Sequence, residues 1–200
     1  VSFYLVGMGK FDALCHAMST ISTGGFSTKQ ASIATYNSPL IEYVVTLFMF
    51  LGGVNLSLLY LFFFKARFGD LLRDSEFRVY AGSVLLFTVL ITVGLFFTTP
   101  MGVEESFRTS LFQVVSIQTT TGFATSNYVL WQPILWLMIS AVMFLGACSG
   151  STSGAMKCVR ISILGRVMFN EFKRILHPNA VIPVRMSGKI VPSSVQSAIL

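Results

Sequence analysis

Two short tracts hold the residues best suited to chemistry: STISTGGF at 19–26 and SIQTTTGF at 116–123. Neither contains an acid, a thiol or an imidazole, so a proton-transfer or nucleophilic step has no obvious agent within them. What both supply is oxygen. Serine and threonine contribute hydroxyls, and glycine lets the backbone aim successive carbonyls in directions that other residues reach only with strain. A row of carbonyl oxygens with hydroxyls beside it replaces the hydration shell of a cation. When Gly25-Phe26 is set on Gly122-Phe123 the offset is 97, and Ser19 then falls on Ser116, Ser22 on Thr119 and Thr23 on Thr120. A single polar tract is most simply a loop. Two with the same flanks are expected to be a repeated functional element.

The elements around the tracts are those of a membrane protein. Of the 200 residues 54% are hydrophobic and only 11% charged, whereas a soluble domain carries about 25% charged residues. Tyr43 to Phe64, Val79 to Thr99 and Leu130 to Cys148 contain no charge over 22, 21 and 19 residues. At about 1.5 Å per residue, each helix is long enough for a hydrocarbon core of about 30 Å. The opening VSFYLVGMGK lacks the marks of a signal peptide, and the chain is expected to be an internal piece of a longer protein. Cys15, Cys148 and Cys158 have no metal-ligand spacing and are expected to behave as small buried hydrophobes.

Charge gives the sidedness. Of fourteen Lys and Arg residues, eleven lie at 65–78 (Lys65, Arg67, Arg73, Arg78) or after 156 (Lys157, Arg160, Arg166, Lys173, Arg174, Arg185, Lys189). The positive-inside rule makes both stretches cytoplasmic and puts both tracts toward the outer face. Topology, with attraction to anionic lipid as a secondary effect, accounts for the net charge of +6 without nucleic acid as a partner.

Each tract follows a short segment, Phe11 to Ile21 or Glu104 to Ile117, that is too short to cross and suits a re-entrant helix. Asp12, Glu104 and Glu105 favour the N-termini of these helices, so their negative dipole ends point into the membrane. After each tract come a loop and an apolar span, and Met49-Phe50-Leu51-Gly52 matches Met143-Phe144-Leu145-Gly146 at an offset of 94. Irregular backbone at membrane depth is tolerated where it is buried in protein or lines a water-filled path. The expected ion ligands are the carbonyls of Ser22, Thr23, Gly24 and Gly25 and of Thr119, Thr120, Thr121 and Gly122. The double glycine leaves the register of the first tract open by one residue. Phe26 and Phe123 are expected to wedge the exits of the tracts.

The span at 130–148 runs into GACSGSTSGAMKCVR, where Gly146, Ser149, Gly150, Ser151, Thr152, Ser153 and Gly154 should break the helix, which resumes at Ala155 to Phe169. Gly52-Gly53-Val54-Asn55 in the earlier repeat is expected to leave its helix largely continuous. GSTSGAMK lacks the spacing of a phosphate loop, and no G-x-S-x-G occurs, so an enzyme is not indicated.

At these motifs the chain resembles the Trk/Ktr/HKT superfamily of potassium transporters, and within it a bacterial Trk-type potassium uptake membrane subunit over its second and third pore repeats. The resemblance implies an all-α membrane protein built from span, re-entrant pore helix, filter strand and span around a pseudo-fourfold pore. On this basis 1–64 belongs to the second repeat, 65–78 to a cytoplasmic loop, 79–169 to the third repeat, 170–192 to a cytoplasmic linker and 193–200 to the start of a fourth. It also implies that 146–154 is a Gly/Ser-rich intramembrane gate, that the first and fourth filter strands lie elsewhere, and that Gly25 is the important glycine of its tract. Potassium is then the transported ion, with no cofactor. The expected setting is the bacterial inner membrane, with a homodimer and a cytoplasmic nucleotide-binding (NAD- or ATP-type) regulatory subunit as partners.

Other residues have two readings each. Asn55 is either a helix–helix hydrogen bond or part of the pore wall, and Lys157 and Arg160 are either interface anchors or part of a gating ion pair. His16 is either a packed, hydroxyl-bonded residue or a pH sensor. A sodium-coupled or sodium-conducting relative and a non-conducting scaffold are the alternative functions.

Overall fold

The computed structural model describes residues 1–65 and 68–176, and beyond them 183, 185–186 and 189–190. His177, most of the linker and the start of the fourth repeat lie outside the described residues. A single turn, α1 (Ser2–Leu5), leads to α2 (Lys10–Ile21). Then follow α3 (Pro39–Gly52), α4 (Leu56–Lys65), α5 (Phe68–Arg73) and α6 (Ser75–Thr98). The second half holds α7 (Val103–Gln118), α8 (Pro133–Phe144) and α9 (Cys158–Leu176). A two-residue antiparallel pair, β1 (Arg185–Met186) with β2 (Lys189–Ile190), sets Arg185 opposite Ile190.

α6 alone is long and apolar enough to span a membrane among the described residues. It begins before Val79, inside the stretch expected as loop, because the Asp74 carboxylate accepts from the backbone N–H of Glu76 and Phe77, both at 2.9 Å, satisfying two donors that a helix start leaves open. Its buried residues Tyr80, Val84, Thr88, Ile91 and Leu95 recur at helical spacing and face the protein. Leu85, Leu86, Val89, Val93 and Phe97 are exposed on the remaining surface. An apolar exterior of this extent suits a surface covered by lipid or by another apolar element.

α7, against which α6 packs, shows the reverse pattern. Ser106, Thr109, Ser110, Gln113, Ser116 and Gln118 are buried on it. Hydrogen bonds make that burial tolerable: Gln113 donates to Ser126 O at 3.1 Å, Ser116 Oγ to Phe123 O at 2.6 Å and Gln118 to Ser83 Oγ at 2.6 Å. At about 1.5 Å per residue, α2 and α7 are shorter than a membrane crossing. They begin within a residue of the expected segments.

Two expectations about the spans are corrected. The helix expected to run on through Gly52-Gly53-Val54-Asn55 is broken there, and α3 and α4 meet at 109°. Neighbouring groups replace the lost helical bonds. Gly53 O accepts from Cys148 N at 3.0 Å, Leu56 N donates to Gly150 O at 3.2 Å, and the Asn55 carboxamide oxygen takes Ser57 N at 2.8 Å as the first bond of α4. A glycine pair with a capping asparagine is a sound breaker once such partners exist. In the second half of the chain the break at 146–154 is present, but only α8 precedes it as helix, and α9 starts at Cys158 rather than Ala155. Leu145 and Met156 pair as a parallel bridge that closes the neck of the loop.

Candidate functional site

Both short helices end in the same backbone motif, residue for residue at the offset of 97. Ser22 (φ −79°, ψ −2°) and Thr119 (φ −80°, ψ −3°) close the last turns of α2 and α7. The next residues, Thr23 (φ 52°) and Thr120 (φ 57°), are left-handed, and Gly25 (φ 69°) and Gly122 (φ 87°) are left-handed two positions later. Thr23 N donates to Thr20 O and Gly24 N to Ser19 O. In the second tract Thr120 N donates to Ile117 O and Thr121 N to Ser116 O. This pattern is the Schellman closure, normally made with glycine at the left-handed position. Threonine there costs about 1–2 kcal/mol. With positive φ at two alternate residues, the backbone of each tract departs from the regular pleat of a strand.

The two tracts lie against each other. A Cβ added to Gly25 would sit 1.9 Å from Thr121 O, whereas one on Gly122 would meet nothing within 4 Å. The first tract's left-handed glycine is therefore Gly25, not Gly24. Phe123 is buried and its ring lies 5.7 Å from the His16 ring, but Phe26 is 81% exposed on this chain and wedges nothing here. His16 is fully buried. Its Nδ1 donates to Asp12 O at 2.7 Å and its Nε2 lies 2.9 Å from Ser27 Oγ, so the imidazole is packed and hydroxyl-bonded.

Asp12 starts α2 and holds the loop after the first tract, accepting from Thr28 Oγ1 at 2.7 Å with Lys29 at 3.7 Å. The Thr28 bond is the main cause that holds its carboxyl below the usual aspartate range. Protonating that group should loosen the loop only in strongly acid medium, so limited proteolysis of the loop is expected to be unchanged from neutral down to mildly acid pH.

The 146–154 loop lies directly beneath the tracts. Thr23 Oγ1 donates to Thr152 O at 3.0 Å, and Gly154 N donates to Thr120 Oγ1 at 2.7 Å. Both left-handed threonines thus touch the loop through their hydroxyls. From the α3–α4 break, Asn55 Nδ2 donates to Ser149 O at 2.7 Å, and Thr152 Oγ1 donates to Gly52 O at 3.3 Å. Within the loop Ser151 Oγ donates to Cys148 O at 2.6 Å and lies 2.8 Å from Ser153 Oγ. Gly146 N bonds Met156 O at 2.9 Å, and a Cβ there would meet that same oxygen at 2.5 Å. Gly150 takes a left-handed φ of 75°. The Lys157 ammonium donates to Ser153 O and, at 3.5 Å, to Ser151 O, bonding loop carbonyls instead of an acid. Arg160 is exposed on the first turn of α9.

Sequence reasoning missed three residues. Glu76 accepts from Ser149 N at 2.5 Å and from Ser149 Oγ at 2.9 Å. Glu42 and Arg108 form a half-hidden ion pair at 2.9 Å that ties α3 to α7. The available signal was an acid in the first turn of α3 and of α6.

The oxygens gathered here belong to carbonyls and hydroxyls. Among the described residues no group of three or more His, Cys, Asp or Glu converges as a metal site. Carboxylate-rich cages suit divalent cations, whereas neutral carbonyl rows suit monovalent ions that shed water readily.

A family described as "TrkH: Cation transport protein" matches residues 4–199. The chain is 34% identical over 203 residues to the Trk system potassium uptake protein TrkH of Salmonella typhimurium and 36% over 202 to that of Vibrio parahaemolyticus. It is 35% identical over 209 residues to the potassium uptake protein TrkG of Escherichia coli. In each case all of this chain is covered, but only 41%, 42% and 41% of the relative. The crystal structure of the potassium transporter TrkH from Vibrio parahaemolyticus superposes with a TM-score of 0.94 at 33% identity, covering 99% of this chain and 43% of that one.

Proposed function

Since this chain belongs to the TrkH family of cation transport proteins, we propose that it contributes two of the four filter strands of a pore through which potassium is taken up. Carbonyls of Ser22–Gly25 and Thr119–Gly122 receive the ion as it sheds water, and the loop at 146–154 closes the path below them. No bond is made or broken. The observation that carries this proposal is the left-handed residue at every second position in both tracts, at one offset, with the loop hydrogen-bonded beneath. The relatives' potassium uptake supports the choice of ion. The resemblance adds a homodimer, a cytoplasmic nucleotide-binding regulator and the bacterial inner membrane, with 65–78 and 157–192 on the cytoplasmic side.

The test is rubidium uptake into liposomes holding the full-length parent protein, with sodium as competitor. Gly122→Ser is the informative variant, because a Cβ there meets no atom within 4 Å and the main cost is the left-handed φ, about 1–2 kcal/mol. The protein should fold, while rubidium preference over sodium falls about tenfold as that strain is relieved by re-aiming the carbonyls. Unchanged preference overturns the filter assignment. Uptake that sodium matches in the parent would assign the pore to a sodium-conducting relative, and absence of flux in folded protein would leave a scaffold.

A further inference from the structure

We propose that Glu76 is the residue that latches the intramembrane loop shut. This rests on the gate assignment above and names a positioning residue for it. The break at 146–154 frees backbone donors at membrane depth, and such donors need partners. Most partners of the loop are neutral: Gly52 O, Gly53 O, the Asn55 carboxamide, Leu56 N and the two threonine hydroxyls. Lys157 is charged, but it stands where the loop runs into α9 and would travel with it. Glu76 is charged and belongs to a different element, the first turn of α6.

Its carboxylate takes Ser149 at both of that residue's donors, N–H and hydroxyl, one on each oxygen. Bonds to an ionised acceptor are the strong ones, and more so out of water. The base of the latch is fixed, since Glu76 N is itself held by the Asp74 carboxylate at 2.9 Å. Glu76 is only 8% exposed, so water offers Ser149 little competition. On the other side of the loop Asn55 grips Ser149 O at 2.7 Å. Ser149 is thus held at N–H, hydroxyl and carbonyl at once. The loop cannot swing away from the tracts without losing the Glu76 pair. Because α6 continues directly from the 65–78 stretch, a movement of that stretch reaches the loop through one side chain.

The experiment measures rubidium uptake by the full-length protein in liposomes without any regulator, for Glu76→Gln and Glu76→Asp. Gln keeps the size but turns one acceptor oxygen into a donor; Asp keeps the charge but is one carbon too short. Basal uptake should rise about tenfold in both, with rubidium preference over sodium unchanged, which a general loosening of the pore would not spare. Ser149→Ala, which deletes one of the two bonds, should give a smaller rise, and adding it to Glu76→Gln should give nothing further. A control with Ser151 and Thr152 deleted separates the two ideas. If the deletion raises uptake and folded Glu76 variants do not, the latch is overturned and the gate stands. If neither does, the gate assignment itself fails.

Discussion

Gly25→Ala in the full-length protein should abolish potassium-selective uptake and sharply reduce the yield of folded protein. Two penalties coincide at this position. The φ of 69° costs a Cβ-bearing residue about 1–2 kcal/mol. The added carbon also falls 1.9 Å from the Thr121 carbonyl, which is backbone and cannot rotate aside. Relief requires the two tracts to part, at an overpacking cost of about 1–3 kcal/mol. In the proposed filter, parted tracts would no longer hold their carbonyls at one distance from a common ion. Gly24→Ala is the matched control: its Cβ would meet Phe26 Cδ2 at 3.2 Å and Ser22 Oγ at 3.3 Å, both side-chain atoms that can give. Uptake and gel-filtration profiles of the pair decide the point. A Gly25→Ala protein that folds and selects like its parent would show that the tracts do not touch as described.

Arg108→Met should lower the melting temperature of the detergent-solubilised protein markedly. Arg108 Nη1 lies 2.9 Å from Glu42 Oε2, with side chains 14% and 11% exposed. Arg108 Nε is 3.1 Å from Glu104 Oε1 without hydrogen-bond alignment, and Tyr43 donates to the same oxygen at 3.1 Å. Methionine fills the space of the guanidinium stem but leaves the Glu42 carboxylate hidden from water and without its cation. Breaking a buried pair from one side costs about 3–5 kcal/mol, while removing both charges costs far less. The double variant Arg108→Met, Glu42→Gln should therefore recover most of the loss. If Arg108→Met melts with the parent, the pair holds nothing.

The sequence carried a good deal of this. The offset of 97 set the two tracts in register and put left-handed Gly25 on left-handed Gly122, but nothing in it marked Thr23 and Thr120, which are left-handed as well. Gly146 to Gly154 announced their break, since three glycines in nine residues leave a helix little to hold it. The bend at Gly52–Asn55 was not legible. Two glycines in an apolar span are compatible with a straight helix, and what decides the matter is the arrival of Cys148, Gly150 and Thr152 as partners from far along the chain. Glu76 was hidden for the same reason. Read locally it is an acid at a helix start; its grip on Ser149 spans 73 positions and has no periodic signature. Phe26 and Phe123 show the limit of the repeat itself, since equal places in two units met unequal neighbours.

The two helix breaks satisfy one another, and this bears on how the protein is made. Until the third repeat is synthesised, Gly52 O, Gly53 O and Leu56 N have none of the partners seen here. An unpaired backbone group in hydrocarbon costs several kcal/mol. A nascent second repeat therefore gains by keeping 43–64 as one uninterrupted helix that makes its own bonds. Its 109° bend is then a late event in biogenesis, completed when a segment translated about a hundred codons afterwards enters the bilayer and trades bonds with it.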